Sequence, residues 1–117
     1  MRKNSIKNLR INNEVQRELS EIIRNLKDPR IHPLTSVTGA EVAADLRSCK
    51  VYISVMSGDE DRESTIEGLK SAGGFIRREL AHRLNLRYTP ELRFINDTTI
   101  EDAMKMMRRI DEVNNIK

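Results

Sequence analysis

Apolar residues recur at steps of three and four from Ile11 through Val15, Leu19, Ile22 and Ile23 to Leu26. That spacing lays one stripe along a helix running from Ser5 or Asn8 to Lys27. Asp28-Pro29 stops it, because proline disfavours helical geometry in the residue before it, and Arg30-Ile31-His32-Pro33 reads as a loop. The pattern then shortens to a period of two. A strand across Thr35–Ala44, weakened by Gly39, precedes a turn at Asp45-Leu46-Arg47. A second strand follows over Lys50–Met56, with Val51, Ile53 and Val55 on one face and Tyr52 and Ser54 on the other. Together these predict a β-hairpin.

The helical period returns after Ser57-Gly58-Asp59-Glu60-Asp61, whose carboxylates suit the positive end of a helix. Ile66 and Leu69 form one short stripe, and Phe75, Ile76, Leu80, Leu84 and Leu86 form the next, with Ala72-Gly73-Gly74 between them. Thr89-Pro90 closes this region, and Leu92 and Phe94 mark a third strand. Thr98-Thr99-Ile100-Glu101 has capping-box spacing, with Thr98 as N-cap. It opens a last helix to about Asn114 that carries Ile100, Ala103, Met104, Met107 and Ile110 on one side. The order α-β-β-α-α-β-α predicts an α+β fold, a three-stranded sheet covered by helices.

At 117 residues the chain is expected to form one domain over its whole length. No apolar run is long enough to span a bilayer, and the first residues lack the apolar stretch of a signal peptide. Cys49 is the one cysteine, which excludes an internal disulfide framework and suggests a reducing cytoplasm. The net charge of +3 is slight, but it is unevenly spread. Residues 1–30 and 70–93 each carry a net +4, whereas 59–69 carries −4. Two positive segments folded onto one surface would suit a polyanion, although solubilising charge alone accounts for such a composition.

The glycine pair is the most telling local feature. Two glycines inside a helix cost roughly 2 kcal/mol relative to alanine, so a break between two short helices explains them better than one long helix. A break leaves backbone amides at the start of the second helix, a setting that favours an anion, and Arg77, Arg78, Arg83 and Arg87 follow it. The alternative is that Gly73 and Gly74 serve only close packing.

Enzymatic chemistry finds little support. Cys49, His32 and His82 are too few and too scattered for a zinc site, and there is no phosphate loop or dinucleotide fingerprint. The run Asp59-Glu60-Asp61-Glu63 resembles a magnesium site of a metal-dependent nuclease, but reads more simply as a solvated helix cap. A protein–protein module on the methionine-rich last helix is the remaining alternative. Met104 and Met107 fall on the stripe expected to be buried, which leaves Met106 free.

The order of elements resembles a type II K-homology (KH) domain, an RNA-binding fold. Its Gly-x-x-Gly clamp is absent, with Ser71 where the first glycine is expected. The run Ser71-Ala72-Gly73-Gly74-Phe75-Ile76-Arg77-Arg78-Glu79-Leu80 instead resembles the Ala-x-Gly interhelical kink of the ribosome-binding factor A family, bacterial small-subunit assembly factors. Lys27-Asp28-Pro29-Arg30-Ile31 and the stretch from Val42-Ala43-Ala44-Asp45-Leu46 through Lys50-Val51-Tyr52-Ile53-Ser54-Val55 match too. So do Leu86-Arg87-Tyr88-Thr89-Pro90-Glu91-Leu92-Arg93-Phe94 and Asp97, so the likeness covers nearly the whole chain. It departs at His32-Pro33, where a smaller or apolar pair is expected, and in lacking the longer tail of some members.

The resemblance implies a cytoplasmic, monomeric protein with no cofactor. It would bind the free 30S subunit and assist 16S rRNA maturation, including 5′-end processing, without catalysis. The family supports growth in the cold, and an assembly GTPase helps release it. On this reading Lys70, Ala72, Gly73, Gly74, Arg77, Arg78, Arg83 and Arg87 contact rRNA, aided by Arg10 and Arg30.

Overall fold

The computed structural model describes residues 6–115, the side chains of 6–8, 100–101 and 111–115 excepted. Its elements are α1 (Ile6–Arg24), β1 (Thr35–Val42), β2 (Ser48–Val55), α2 (Asp59–Ser71), α3 (Gly73–Leu84), β3 (Glu91–Asn96) and α4 (Thr99–Asn115). This is the expected α+β order. The alternative start of the first helix at Ser5 lies outside the described residues, and α1 ends three residues before Lys27. There Asn25 and Leu26 close a turn on the carbonyls of Glu21, Ile22 and Ile23.

The sheet runs β1-β2-β3, with β2 central, antiparallel to β1 and parallel to β3. Gly39 owes its place in β1 to a bulge: the register shifts between Val37 and Gly39, leaving Thr38 as the extra residue. The hairpin turn falls where expected and is held locally. Leu46 adopts left-handed geometry (φ 61°), its N–H reaches Ala43, and the Arg47 N–H donates to the Asp45 carboxylate.

One sheet face carries Val37, Ala40, Cys49, Val51, Ile53 and Val55 into a core with Val15, Leu19, Ile22 and Ile23 of α1, Leu69 of α2, and Ile76 and Leu80 of α3. Helix α1 lies across β1 and α3, while α2 and α3 cover β2 and β3. Two amides fasten α1 to the edge strand. The Asn12 side chain accepts from the Val42 N–H at 2.9 Å, and the Gln16 amide donates to the Val37 carbonyl at 3.2 Å. Such bonds occupy backbone groups of a strand with one open side.

The apolar stripe of α4 is not part of this core. Met104, Met107 and Ile110 are about half exposed or more, as is Met106, so the expected burial of Met104 and Met107 is corrected. The inner sheet face is already filled by the first three helices, which leaves α4 to depart from the end of β3. Its start is fixed by Asp97, whose carboxylate accepts from the Thr99 N–H, the Thr99 hydroxyl and the Thr38 hydroxyl. Thr98 contributes its carbonyl, which accepts from the Asp102 N–H, while its hydroxyl bonds the Asp102 side chain. The reciprocal partner expected of a capping box, Glu101, lies outside the described side chains.

Burial pushes the Cys49 thiol up to about 11. The raised value means that the folded state keeps its proton longer than the unfolded state. The stabilisation is complete below the unfolded value of about 8.5 and is lost as pH rises toward about 11. Stability is therefore expected to fall over that window, and Cys49→Ala to flatten the fall in denaturant melts. Stoichiometric labelling of the folded protein within seconds at pH 8 would contradict a thiol so covered.

Candidate nucleic-acid interface

Helices α2 and α3 are separated by a single residue. Ala72 leaves helical geometry (φ −87°, ψ 5°), yet its N–H still reaches Gly68 and Lys70, and its carbonyl accepts from Ile76. The break is therefore hydrogen-bonded on both sides. Gly73 and Gly74 open α3 with negative φ, so neither is demanded by backbone conformation. A β-carbon at Gly73 would meet nothing within 4 Å, and one at Gly74 only the Arg78 Nη1 at 3.6 Å. The close-packing alternative for this pair thus finds no neighbour to pack against. What the glycines leave is open surface beside the first amides of a helix, the orphan donors of its N-terminus.

Close packing belongs to Gly68 instead. A β-carbon there would lie 3.0 Å from the Ile31 Cγ1 and 3.2 Å from the Arg30 Cβ. The same seam is bonded: the His32 N–H donates to Thr65 Oγ1 at 3.0 Å, and the Ser64 hydroxyl donates to the Arg30 carbonyl. The His32-Pro33 segment is thereby tied to α2, and His32 Nδ1 accepts from the Leu34 N–H.

Lys70, Gly73, Gly74 and Arg77 line a groove of about 210 Å³ with Glu91, Leu92 and Phe94 of β3. β3 is an edge strand, so one side of its backbone is unpaired by the sheet. Arg77 crosses the groove's end, donating from Nε to the Pro90 carbonyl at 2.9 Å and from Nη2 to the Thr89 carbonyl at 3.1 Å. Those neutral acceptors orient the guanidinium without cancelling its charge. Lys70 and Arg78 are exposed and have no ion pair among the described residues, and Arg78 turns back toward Gly74. Phe75, expected on the buried stripe, is 47% exposed at the same corner. On the far side of Lys70 the wall turns acidic, with Asp59, Glu63 and Glu67 along α2. Asp59 is paired with Arg62, and Asp61 accepts from the Ser57 hydroxyl at the helix start.

Two arginines from the expected set are held elsewhere. Arg83 lies among three carboxylates, at 2.6 Å from Glu21, 3.2 Å from Glu18 and 3.4 Å from Glu79. It ties α3 to α1, and the hydrogen bonds to Glu21 and Glu18 raise its pKa further. Arg30 is forked onto Asp28, whose carboxyl that bond holds below the usual range. Each of these two cations is therefore ion-paired within the molecule. Arg10 is exposed on α1 and does not line the groove. Arg87 sits beyond the groove, its guanidinium 5.8 Å from the Tyr88 ring centre.

The chain matches the family model described as Ribosome-binding factor A over residues 7–110. A protein named Ribosome-binding factor A from Lachnospira eligens is 60% identical over 97% of this chain and 88% of its own length. One of the same name from Acetivibrio thermocellus is 50% identical over 90% of this chain and 86% of its own. Among solved structures, the crystal structure of ribosome-binding factor A from Thermus thermophilus superposes with a TM-score of 0.69 at 26% identity, covering 76% of this chain and 94% of that one. A Thermus thermophilus homology model fitted to a cryo-EM map of a 30S complex of the factor gives 0.63 at 26% identity, covering 74% and 91%.

The two kinds of glycine are separable by experiment. Gly68→Ala is expected to lower stability by about 1–3 kcal/mol, because the Arg30-Ile31 backbone must move. Gly73→Ala is expected to leave stability unchanged or raise it by up to about 1 kcal/mol. Urea melts that ranked the two the other way would place the packing constraint at the break.

Proposed function

Because the chain belongs to the ribosome-binding factor A family, we propose that it binds the free 30S subunit through 16S rRNA and assists maturation of that RNA, including its 5′ end. The surface at the α2–α3 break makes the contact. Lys70, Arg77, Arg78 and Arg87 meet phosphates, and the first amides of α3 take a further one. Gly73 and Gly74 allow the RNA backbone to approach, and Phe75 offers an apolar face beside it. This role is non-catalytic and requires neither metal nor cofactor. The protein would act as a cytoplasmic monomer, support growth in the cold, and leave with the help of an assembly GTPase.

The observation that carries this reading is the sorting of charge. The cations at the break and at Arg87 have no carboxylate partners among the described residues, whereas Arg83 and Arg30 do. A 30S complex of a Thermus thermophilus relative supports the choice of partner. The acidic wall along α2 bounds the surface on one side and repels a polyanion that strays across it.

Sedimentation with separated subunits tests this. Comigration with free 30S and not with intact ribosomes is expected. With about four phosphates neutralised, log affinity should fall against log salt with a slope of roughly −2.8 to −3.6. Arg78→Glu should weaken binding roughly tenfold or more without lowering the melting temperature. A salt-independent affinity, or full binding by Arg78→Glu, would contradict the proposed surface.

A further inference from the structure

The loop that Arg77 braces presents an aromatic ring. Tyr88 is 40% exposed, and two guanidinium groups lie against it, Arg47 at 4.9 Å from the ring centre and Arg87 at 5.8 Å. Both distances fall within cation–π range of about 6 Å. Neither arginine has an ion pair among the described residues, so two guanidinium groups are gathered at one exposed ring.

The assembly is fixed from two sides. Arg77 holds the carbonyls of Thr89 and Pro90, the two residues after Tyr88. The Arg47 carbonyl accepts from the Glu91 N–H at 2.8 Å, which joins the hairpin turn to the same loop. Beneath the ring lies a small apolar cavity of about 30 Å³, lined by Ile11, Val15, Val42, Cys49 and Leu86 among others. The ring thus lines an apolar cavity while part of it stays exposed to solvent. A buried tyrosine needs no arginines, and a surface arginine pair needs no rigid ring.

From this we propose that Tyr88, Arg47 and Arg87 form a stacking platform for an unpaired nucleotide of RNA. The base stacks in the aromatic and guanidinium cluster at the exposed part of the ring, and the flanking phosphates take the guanidinium charges. The inference deepens the proposed function, on which it rests: the groove at the break grips the RNA backbone, and the platform holds a base beyond the Arg77 bridge.

The probe is a single-stranded oligouridylate titrated at low salt into the Tyr52→Phe protein, whose tyrosine emission then comes from Tyr88 alone. Binding is expected to quench that emission. Tyr88→Leu, which keeps the apolar cover of the cavity, should bind the oligonucleotide about tenfold more weakly, and Tyr88→Phe should stay near wild type. Saturable binding without quenching, or wild-type affinity in a folded Tyr88→Leu protein, overturns the platform. If Tyr88→Leu weakens 30S binding yet holds the oligonucleotide like wild type, the ring meets a ribosomal protein and the RNA inference fails. Quenching by oligonucleotide in a protein that ignores the 30S subunit would strike the proposed function and leave the platform standing.

Discussion

The fork of Arg77 onto the carbonyls of Thr89 and Pro90 joins the two parts of the proposed RNA surface, the helix break and the loop that carries Tyr88. It spans from the first turns of α3 to the loop that enters β3, and so sets how far the helix break stands from the edge strand. Carbonyl partners orient a guanidinium as firmly as a carboxylate does in geometry, but they leave the positive charge in place. The same two bonds therefore shape one end of the groove, leave the Arg77 charge unpaired there and tie down the loop that carries Tyr88. A lysine at this position would supply charge without the planar fork.

Electrostatic sorting follows from which helices touch. Packing of α1 on α3 brings Glu18 and Glu21 to Arg83, and the turn after α1 brings Asp28 to Arg30. These exposed pairs are worth little individually as stability. Their effect on the surface is local: they pair Arg83 where α3 meets α1 and Arg30 beside Asp28, and pair none of the cations at the break. The acidic α2 face beside Lys70 sharpens the boundary. In a chain whose net charge is only +3, Lys70, Arg77 and Arg78 stand together at the break without an ion pair among the described residues.

Much of the architecture was legible in one dimension. The stripe from Ile11 to Leu26, the alternation of Val51, Ile53 and Val55, and the Asp45-Leu46-Arg47 turn each depend on local periodicity or turn chemistry, and each is found. The last helix shows where periodicity stops being informative. Its stripe is genuine, but whether a stripe is buried depends on free space in the core, and α1, α2 and α3 had already taken it. Phe75 was misread for a related reason: the helix restarts at Gly73, which turns the first apolar position outward. The glycine pair drew attention because two glycines adjoin, yet the sterically constrained one is the solitary Gly68, whose neighbour is a loop more than thirty residues away in sequence. Arg83 and Arg87 look alike on the helix pattern, and only the meeting of α1 with α3 separates them. Tyr88 and Arg47 come together through the parallel pairing of β2 with β3, a non-local contact that no spacing encodes.

Amide hydrogen exchange of the full chain, with and without 30S subunits, tests most directly whether the break and its braced loop are the docking face. Added protection is expected at residues 70–78 and at the loop around 87–91, with the outer turns of α1 that hold Glu18 and Glu21 unchanged. Protection gathered on that α1 face, with the break and the loop left as they are in the free protein, would contradict the account.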